Sequence, residues 1–540
     1  MKRITSLFIV LILILSSLTA CGNSESSEPP QTTAASGETK APSGSDATQD
    51  ASATDTTDAE PSDEDEDLAE INILFWTLNT VPGDLEMVEE AINEITREKI
   101  NTEIHLQIVD MGSYAQQVNL AISSGEKLDL MVTLPGDTAH FNAMTSQNQL
   151  QGLSELLEEY APELMETVPE QWFAGTTVDG EIYSVTSLGD KATPLCFICR
   201  TDILEETGID PATLKNANDF TDLFAKVKEV DPTIIPLCGG NRGFLTSPYM
   251  IDADGNFFSY DGLGEGNNSI IAVMPGDGST ISDRYETEEY KSTTNWVHNW
   301  YEAGYVDKDL ANKDDTAESA VQMGTAFGFF KMVSGGEYGA VAISQSTGYD
   351  MTAVFLDDAV ITTGLIRKFS WAVPQGATEP EAAVKFLNLL YTDEEVLNLM
   401  TWGIEDVHYR TLEDGTIDFL EGQDASSCGY FLGDCTAILG NGFLAKVRAG
   451  QPADLREQLY ELNMNAKVSD FLGFGIDNGP VENTLTALTN VINELRPMLA
   501  SGVSGEDGVD QLVAKLKGAD VDAYVATMQQ QLDDWIAANK

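Results

Sequence analysis

The chain has 540 residues, 42% of them hydrophobic, with 88 acidic against 29 basic side chains and a net charge of −59. A field of that sign repels phosphate backbones and anionic lipid headgroups, which excludes nucleic-acid binding and argues weakly against an anionic ligand. The composition is otherwise that of ordinary globular protein.

The first elements are a leader and a tether. Lys2 and Arg3 precede nine consecutive apolar residues, Leu7 to Leu15. That run is too short to span a bilayer, which takes about 20 apolar residues, and it reads as a secretory signal peptide over residues 1–20. Leu18-Thr19-Ala20-Cys21 resembles the lipobox of bacterial lipoproteins, which implies cleavage before Cys21 and a lipid on its thiol; the plainer reading is a signal peptide with an incidental cysteine. Residues 22–67 contain no aromatic residue and no Val, Ile, Leu or Met, and carry thirteen acids against Lys40 alone. Such a stretch cannot bury enough apolar surface to offset its chain entropy, so residues 21–69 read as a disordered acidic linker. Its r.m.s. reach is roughly 35–40 Å, more once self-repulsion extends it. Without leader and linker, 26 basic and 75 acidic residues remain, a charge of −49 on residues 68–540.

Beyond the linker the periodicity becomes regular. "INILFWTL" (71–78) is a strand, and a helix from Asp84 places Leu85, Val88, Ile92 and Ile95 on one face. "TEIHLQIV" alternates as a strand does, "YAQQVNLAIS" is a helix stopped near Gly125, and "LDLMVT" (128–133) is a buried strand. Strand–helix–strand–helix–strand at this spacing implies a parallel sheet with right-handed crossovers. Asp179-Gly180 marks a hairpin turn. "LCFICR" (195–200) is a buried strand, with helices at 202–207 and from Asn218 to Val230. "FSWAV" (369–373) is a strand. Thr378-x-x-Glu381 and Thr392-x-x-Glu395 read as capping boxes opening two helices, the second ended by Gly403. Helices near 482–498, 508–517 and 520–538 complete an α/β chain with a helical C-terminal extension.

Catalytic and metal signatures are sparse. His105, His140, His298 and His408 have no partner at i+3 or i+4, which leaves no zinc helix. No G-x-S-x-G elbow, phosphate loop or intact dinucleotide fingerprint occurs, so no cofactor and no metal is expected. Among 88 acids, a carboxylate pair suited to glycoside hydrolysis cannot be singled out. Cys196 and Cys199 have redox or zinc spacing, but on a strand i and i+3 point to opposite faces. Cys428 and Cys435 could form a disulfide or stay as buried thiols. "DADGN" (252–256) has its glycine too early for a calcium loop and reads as a turn.

The order of "LAISSGEKLDLMVT" (120–133), "GLSELLEEYAPEL" (152–164), "VDGEIYSV" (178–185), "RTDILEETGID" (200–210) and "AAVKFLNLLYTDEEVLNLMTWGIEDVHY" (382–409) resembles the family 1 extracellular solute-binding proteins. The closing "QQQLDDWI" (529–536) resembles one large subgroup of them. The resemblance implies a two-lobed α/β clamshell, lipid-anchored through Cys21 on the extracytoplasmic face of the bacterial membrane. It implies a monomer that hands a polar solute, most often an oligosaccharide, to separate ABC permease subunits. Lobe 1 would be about 70–190 plus 315–370, and lobe 2 about 191–314 plus 371–540. A surface glycoside-acting enzyme and a receptor for amino acids or peptides are the alternatives.

A sugar cleft needs flat apolar faces for pyranose C–H groups and polar groups that satisfy pairs of hydroxyls. Candidates are Trp76 and Asn79 at the end of the first strand, Tyr183 on the hairpin, and Asn241, Arg242 and Tyr249. Trp371, and Trp402 with Glu405, complete the set. Trp76 and Trp402 could equally be packing residues, and Arg242 could sit on a solvated loop. Asp137 reads better as a helix cap. Trp172, Trp296, Trp300 and Trp535 fall in helical patterns and read as packing.

Overall fold

The computed structural model describes residues 68–539 apart from 136–138, 190, 240–247, 265–268, 313–315 and 334–336. The leader, Cys21, the linker, Asp137, Asn241 and Arg242 therefore lie outside the described residues.

The first sheet grows from three local strands. β1 (Ala69–Thr77) pairs in parallel with β2 (Thr102–Asp110) and β3 (Leu130–Val132). Both faces of β1 are covered from Ile73 to Thr77, as the interior strand of a parallel sheet requires. Helix α1 (Leu85–Ile100) links β1 to β2 and buries Val88 and Ile92, with Leu85 and Ile95 partly buried against the same core. It ends at Asn101, whose φ of +48° is the left-handed cap that asparagine tolerates. Helix α2 (Met111–Ser124) starts where the Ser113 amide donates to Asp110 (3.2 Å) and stops at Gly125, φ +71°. β4 (Val185–Thr186) lies at the far edge of this sheet.

The second sheet is mixed. β5 (Leu195–Arg200) runs antiparallel to β7 (Ala326–Met332) and β8 (Met351–Phe355), and β7 pairs in parallel with β6 (Ile235–Leu237). Cys199 packs with Phe197 and Phe220 on one face of β5, and Cys196 packs with Ile198 and Phe329 in a separate core. All five described cysteines are free and buried, Cys428 and Cys435 among them.

β9 (Ser370–Ala372) returns to the first sheet, antiparallel to both β3 and β4, giving the order β2-β1-β3-β9-β4. The strand pairing thus divides the middle of the chain differently from the expected lobes. The strands Ala326–Met332 and Met351–Phe355 belong to the second sheet, whereas 370–372 and the helix Pro380–Thr392 belong to the first sheet and its core. Only strand partners 91 or more residues away decide this, and periodicity does not reveal them. The C-terminal helices (Glu482–Ala500, Glu506–Gly518, Val521–Asn539) share a core with Leu263, Ile271 and Tyr285, on the side of the second sheet.

Two caps differ from the expected boxes. The helix at Pro380 is closed by Asp129, fully buried, whose Oδ1 accepts from the Thr378 and Glu379 amides (2.9 and 3.2 Å). Its Oδ2 accepts from the Asn72 amide (2.9 Å), so one carboxylate ties β1 to this helix. The next helix is capped by Asp393 rather than Thr392, accepting from Glu395 and Val396 amides, and it ends at Gly403 as expected.

Candidate functional site

Three segments cross between the two sheets: 187–194, 356–369 and 463–472. The Asn463 carboxamide oxygen accepts from the Lys191 and Ala192 amides (2.8 Å each). Val360–Ile361 pairs in parallel with Lys467–Val468. On the first-sheet side, the Ser184 hydroxyl donates to Ser370 and Thr133 shares a hydrogen bond with Ser370 (2.9 Å each). Thr133 and Thr186 also donate to the Arg367 and Ile366 carbonyls (3.2 and 2.7 Å), so buried hydroxyls of the first sheet hold the second crossing in place.

Beside these crossings lies a cleft of about 2970 Å3, with first-sheet elements on one wall and second-sheet elements and the C-terminal helices on the other. The first wall includes the loop at Gln147-Asn148 and the hairpin 177–182. That hairpin turns at Asp179 and Gly180 (φ +52° and +86°), as the Asp-Gly signal predicts, and its tip reaches the cleft. The second wall includes Tyr249 and Tyr260. The Tyr260 hydroxyl accepts from Arg284 (2.6 Å), a buried guanidinium that also donates to Tyr285 (2.6 Å).

Only part of the predicted contact set is brought together. Tyr183 and Tyr249 line the cleft. Asn79 reaches it indirectly, its amide donating to Asp434 on the rim. The tryptophans do not. Trp76 is fully buried, stacked on Phe75 (4.6 Å between ring centroids) and edge-on to Tyr114. Trp371 is equally buried, stacks on the same Phe75, and donates its indole N–H to the Ile438 carbonyl (3.0 Å). Trp402 packs against Phe431 in a small cluster of its own. Their flat apolar bulk, the property that suggested sugar stacking, fills cores instead. Glu405 is exposed and accepts from the Thr411 hydroxyl, away from the cleft. Trp172 and Trp300 are buried as packing residues, but Trp535, partly exposed and edge-on to Phe474, lines the cleft.

The segment "RKF" (367–369), immediately before β9, also lines the cleft and was not singled out from sequence. Phe369 sits at φ +57°, a region disfavoured for bulky residues and most often kept where function over-determines it. One side of its ring packs on Trp76 (5.6 Å), and the partly exposed remainder faces the cleft. The buried Arg367 guanidinium donates from Nε to the Gly175 carbonyl and from Nη1 to Asn142 Oδ1 (2.7 Å each), and lies over Phe141. Burial lowers its pKa to about 10, still cationic at neutral pH. Burial, then the Arg367 charge, lowers the pKa of His140 beside it and favours the neutral imidazole. The buried Lys191 ammonium donates to the carbonyls of Leu365 and Lys368 (3.2 and 3.1 Å). A signal was present: two bases before an aromatic at a strand entry, rare in so acidic a chain.

Among the described residues no group of three or more His, Cys, Asp or Glu is arranged to hold a metal ion, and no helix is long and apolar enough to cross a membrane. The cleft instead offers aromatic faces, amides and hydroxyls among charged side chains of both signs, a lining suited to holding a polar solute by hydrogen bonds.

Comparison with known proteins agrees with this architecture. A family model described as bacterial extracellular solute-binding protein matches residues 84–396, and a domain of unknown function, DUF3502, matches 470–537. A carbohydrate ABC transporter substrate-binding protein of Streptococcus pneumoniae serotype 4 is 23% identical over 475 residues, 87% of this chain and 91% of that protein. The polygalacturonan/rhamnogalacturonan-binding protein YtcQ of Bacillus subtilis is 23% identical over 365 residues, 62% of this chain and 66% of that protein. The crystal structure of the N-glycan transport solute binding protein NgtS from Streptococcus pneumoniae superposes with a TM-score of 0.73 at 22% identity, covering 87% of this chain and 100% of that one. An extracellular solute-binding protein from Bifidobacterium longum subsp. infantis superposes at 0.59 and 14% identity, covering 86% and 98%. The fold is therefore that of two-lobed solute-binding proteins. With the matching model spanning more than half its length, the chain belongs to the bacterial extracellular solute-binding protein family.

Proposed function

We propose that the protein is a lipid-anchored receptor that captures an oligosaccharide in the interlobe cleft and delivers it to a separate ABC permease, without catalysing a reaction. The size of the cleft carries this reading. Small-molecule pockets hold about 300–1,000 Å3, and a cleft of about 2970 Å3 exceeds the upper figure nearly threefold. A single amino acid or monosaccharide would leave most of it to water. Phe369, Tyr183 and Trp535 supply stacking faces along it, and the carbohydrate receptors of similar sequence support the choice of ligand. Cys21 is the proposed anchor, with the acidic linker as tether. Closure of the lobes around the ligand would present the form that engages the permease.

The test is calorimetric titration of the chain from residue 22 onward with oligosaccharides, amino acids and short peptides, with each mixture then analysed by mass spectrometry. Micromolar or tighter binding of an intact oligosaccharide is the expected result. Cleaved sugar would make the protein an enzyme, and binding confined to amino acids or peptides would overturn the choice of ligand.

A further inference from the structure

We propose that Arg367 recognises a carboxylate on the bound glycan, so that the receptor is selective for acidic oligosaccharides, those carrying a uronate or a sialate-type residue. This inference rests on the receptor reading above.

A guanidinium has five N–H donors. Two of those on Arg367 are used, on Gly175 and Asn142, and both acceptors are neutral. None of the ion pairs among the described residues involves Arg367. Carboxylates also line the cleft: Asp434 is engaged by Asn79 and Asp261 by the Ser469 hydroxyl, and Asp179, Asp470, Asp477 and Glu482 stand elsewhere along it. Burial is what lowers the pKa of the guanidinium.

Arg367 is nine-tenths buried, yet it lines the cleft. The Gly475 loop passes close along one edge of the guanidinium, where a Cβ would stand 2.6 Å from Nη1 and 3.1 Å from Nη2. A neutral sugar hydroxyl could accept one of these hydrogen bonds but would leave the buried charge uncompensated. A carboxylate accepts two and neutralises it, the pairing in which arginine is strongest. The acidity of the whole chain does not forbid this, because distant exposed charges are screened over about 8 Å at physiological salt. Contact with a buried cation is screened far less. The exposed Lys368 and the buried Lys191 add positive charge on the same crossings.

The test compares the wild-type mature chain, lacking only its lipid, on matched ligands: oligogalacturonates and sialylated oligosaccharides, each against its carboxyl-reduced form, with neutral oligosaccharides alongside. Binding of the acid form about 10- to 100-fold tighter than its reduced partner is expected, the range of a charged hydrogen bond. Preference within the uronate pair or the sialate pair tells which residue carries the carboxylate. R367Q is expected to remove the preference, so that acid and reduced forms bind alike, and R367K to restore part of it. Equal affinity for acid and reduced forms, or binding of neutral glycans alone, overturns this inference and leaves the receptor reading intact. Failure of every oligosaccharide, neutral and acidic, overturns both.

Discussion

Phe369 offers the sharpest check on how the cleft is built, because one residue carries both backbone strain and a proposed stacking face. Its φ of +57° brings Cβ towards the carbonyl oxygen, a conflict worth about 1–2 kcal/mol for any residue but glycine. Its ring is half-buried, so truncation to alanine should cost about 2 kcal/mol, below the 3–5 kcal/mol of a fully buried phenylalanine. At an ordinary position a further change to glycine would cost about 0.5–1 kcal/mol more. Here glycine relieves the strain instead, and the order inverts: F369G should be more stable than F369A by about 0.5–1 kcal/mol in urea denaturation. Both variants lose the stacking face and should weaken oligosaccharide binding roughly tenfold, while F369Y, which keeps the ring, should bind as wild type. If F369A is the more stable of the two, the left-handed backbone is refuted. An unchanged Kd in both refutes contact between this ring and the ligand.

Other outcomes follow from the same packing. Removing the Asp129 carboxylate (D129A) strands amides at both β1 and the Pro380 helix, and should cost about 3 kcal/mol in urea denaturation. Burial raises the pKa of Asp283 to about 6, and its enclosed Oδ2 has no hydrogen-bond donor. A carboxyl whose folded pKa is raised binds more protons in the folded state, so its contribution to stability falls as pH rises from about 4 to 6. D283N should remove that fall, gaining stability over wild type at pH 7 by up to about 3 kcal/mol and little at pH 4. G328A would place a Cβ 2.7 Å from Cys199 Cβ and from the Ile198 carbonyl oxygen at the centre of the second sheet, and should lower stability by about 1–3 kcal/mol. C21S should release the protein from membranes into the medium, seen by fractionation.

What was legible in the sequence was local. The alternation in β2, the apolar face of α1, the Asp179-Gly180 turn and the opposite faces of Cys196 and Cys199 are set by a few neighbouring residues. Sheet membership was not legible, because Trp371 meets Val132 across more than two hundred residues and nothing near Trp371 records that. The cap on the Pro380 helix failed for the same reason: Asp129 supplies the acceptor from 249 positions away. The tryptophans misled because a large flat apolar ring suits a core as well as a sugar. Arg367 and Phe369 escaped notice because their roles depend on burial beside Gly175 and on one backbone dihedral, neither visible in residue type.

The central claim, that an oligosaccharide binds between the lobes, is tested most directly by amide hydrogen–deuterium exchange with and without a bound glycan. Protection should appear together in the 177–183 hairpin, the 362–369 crossing and the 469–479 loop, with β1 and the buried Trp402 cluster unchanged. Protection confined to one lobe, or to a surface away from the crossings, would contradict the account.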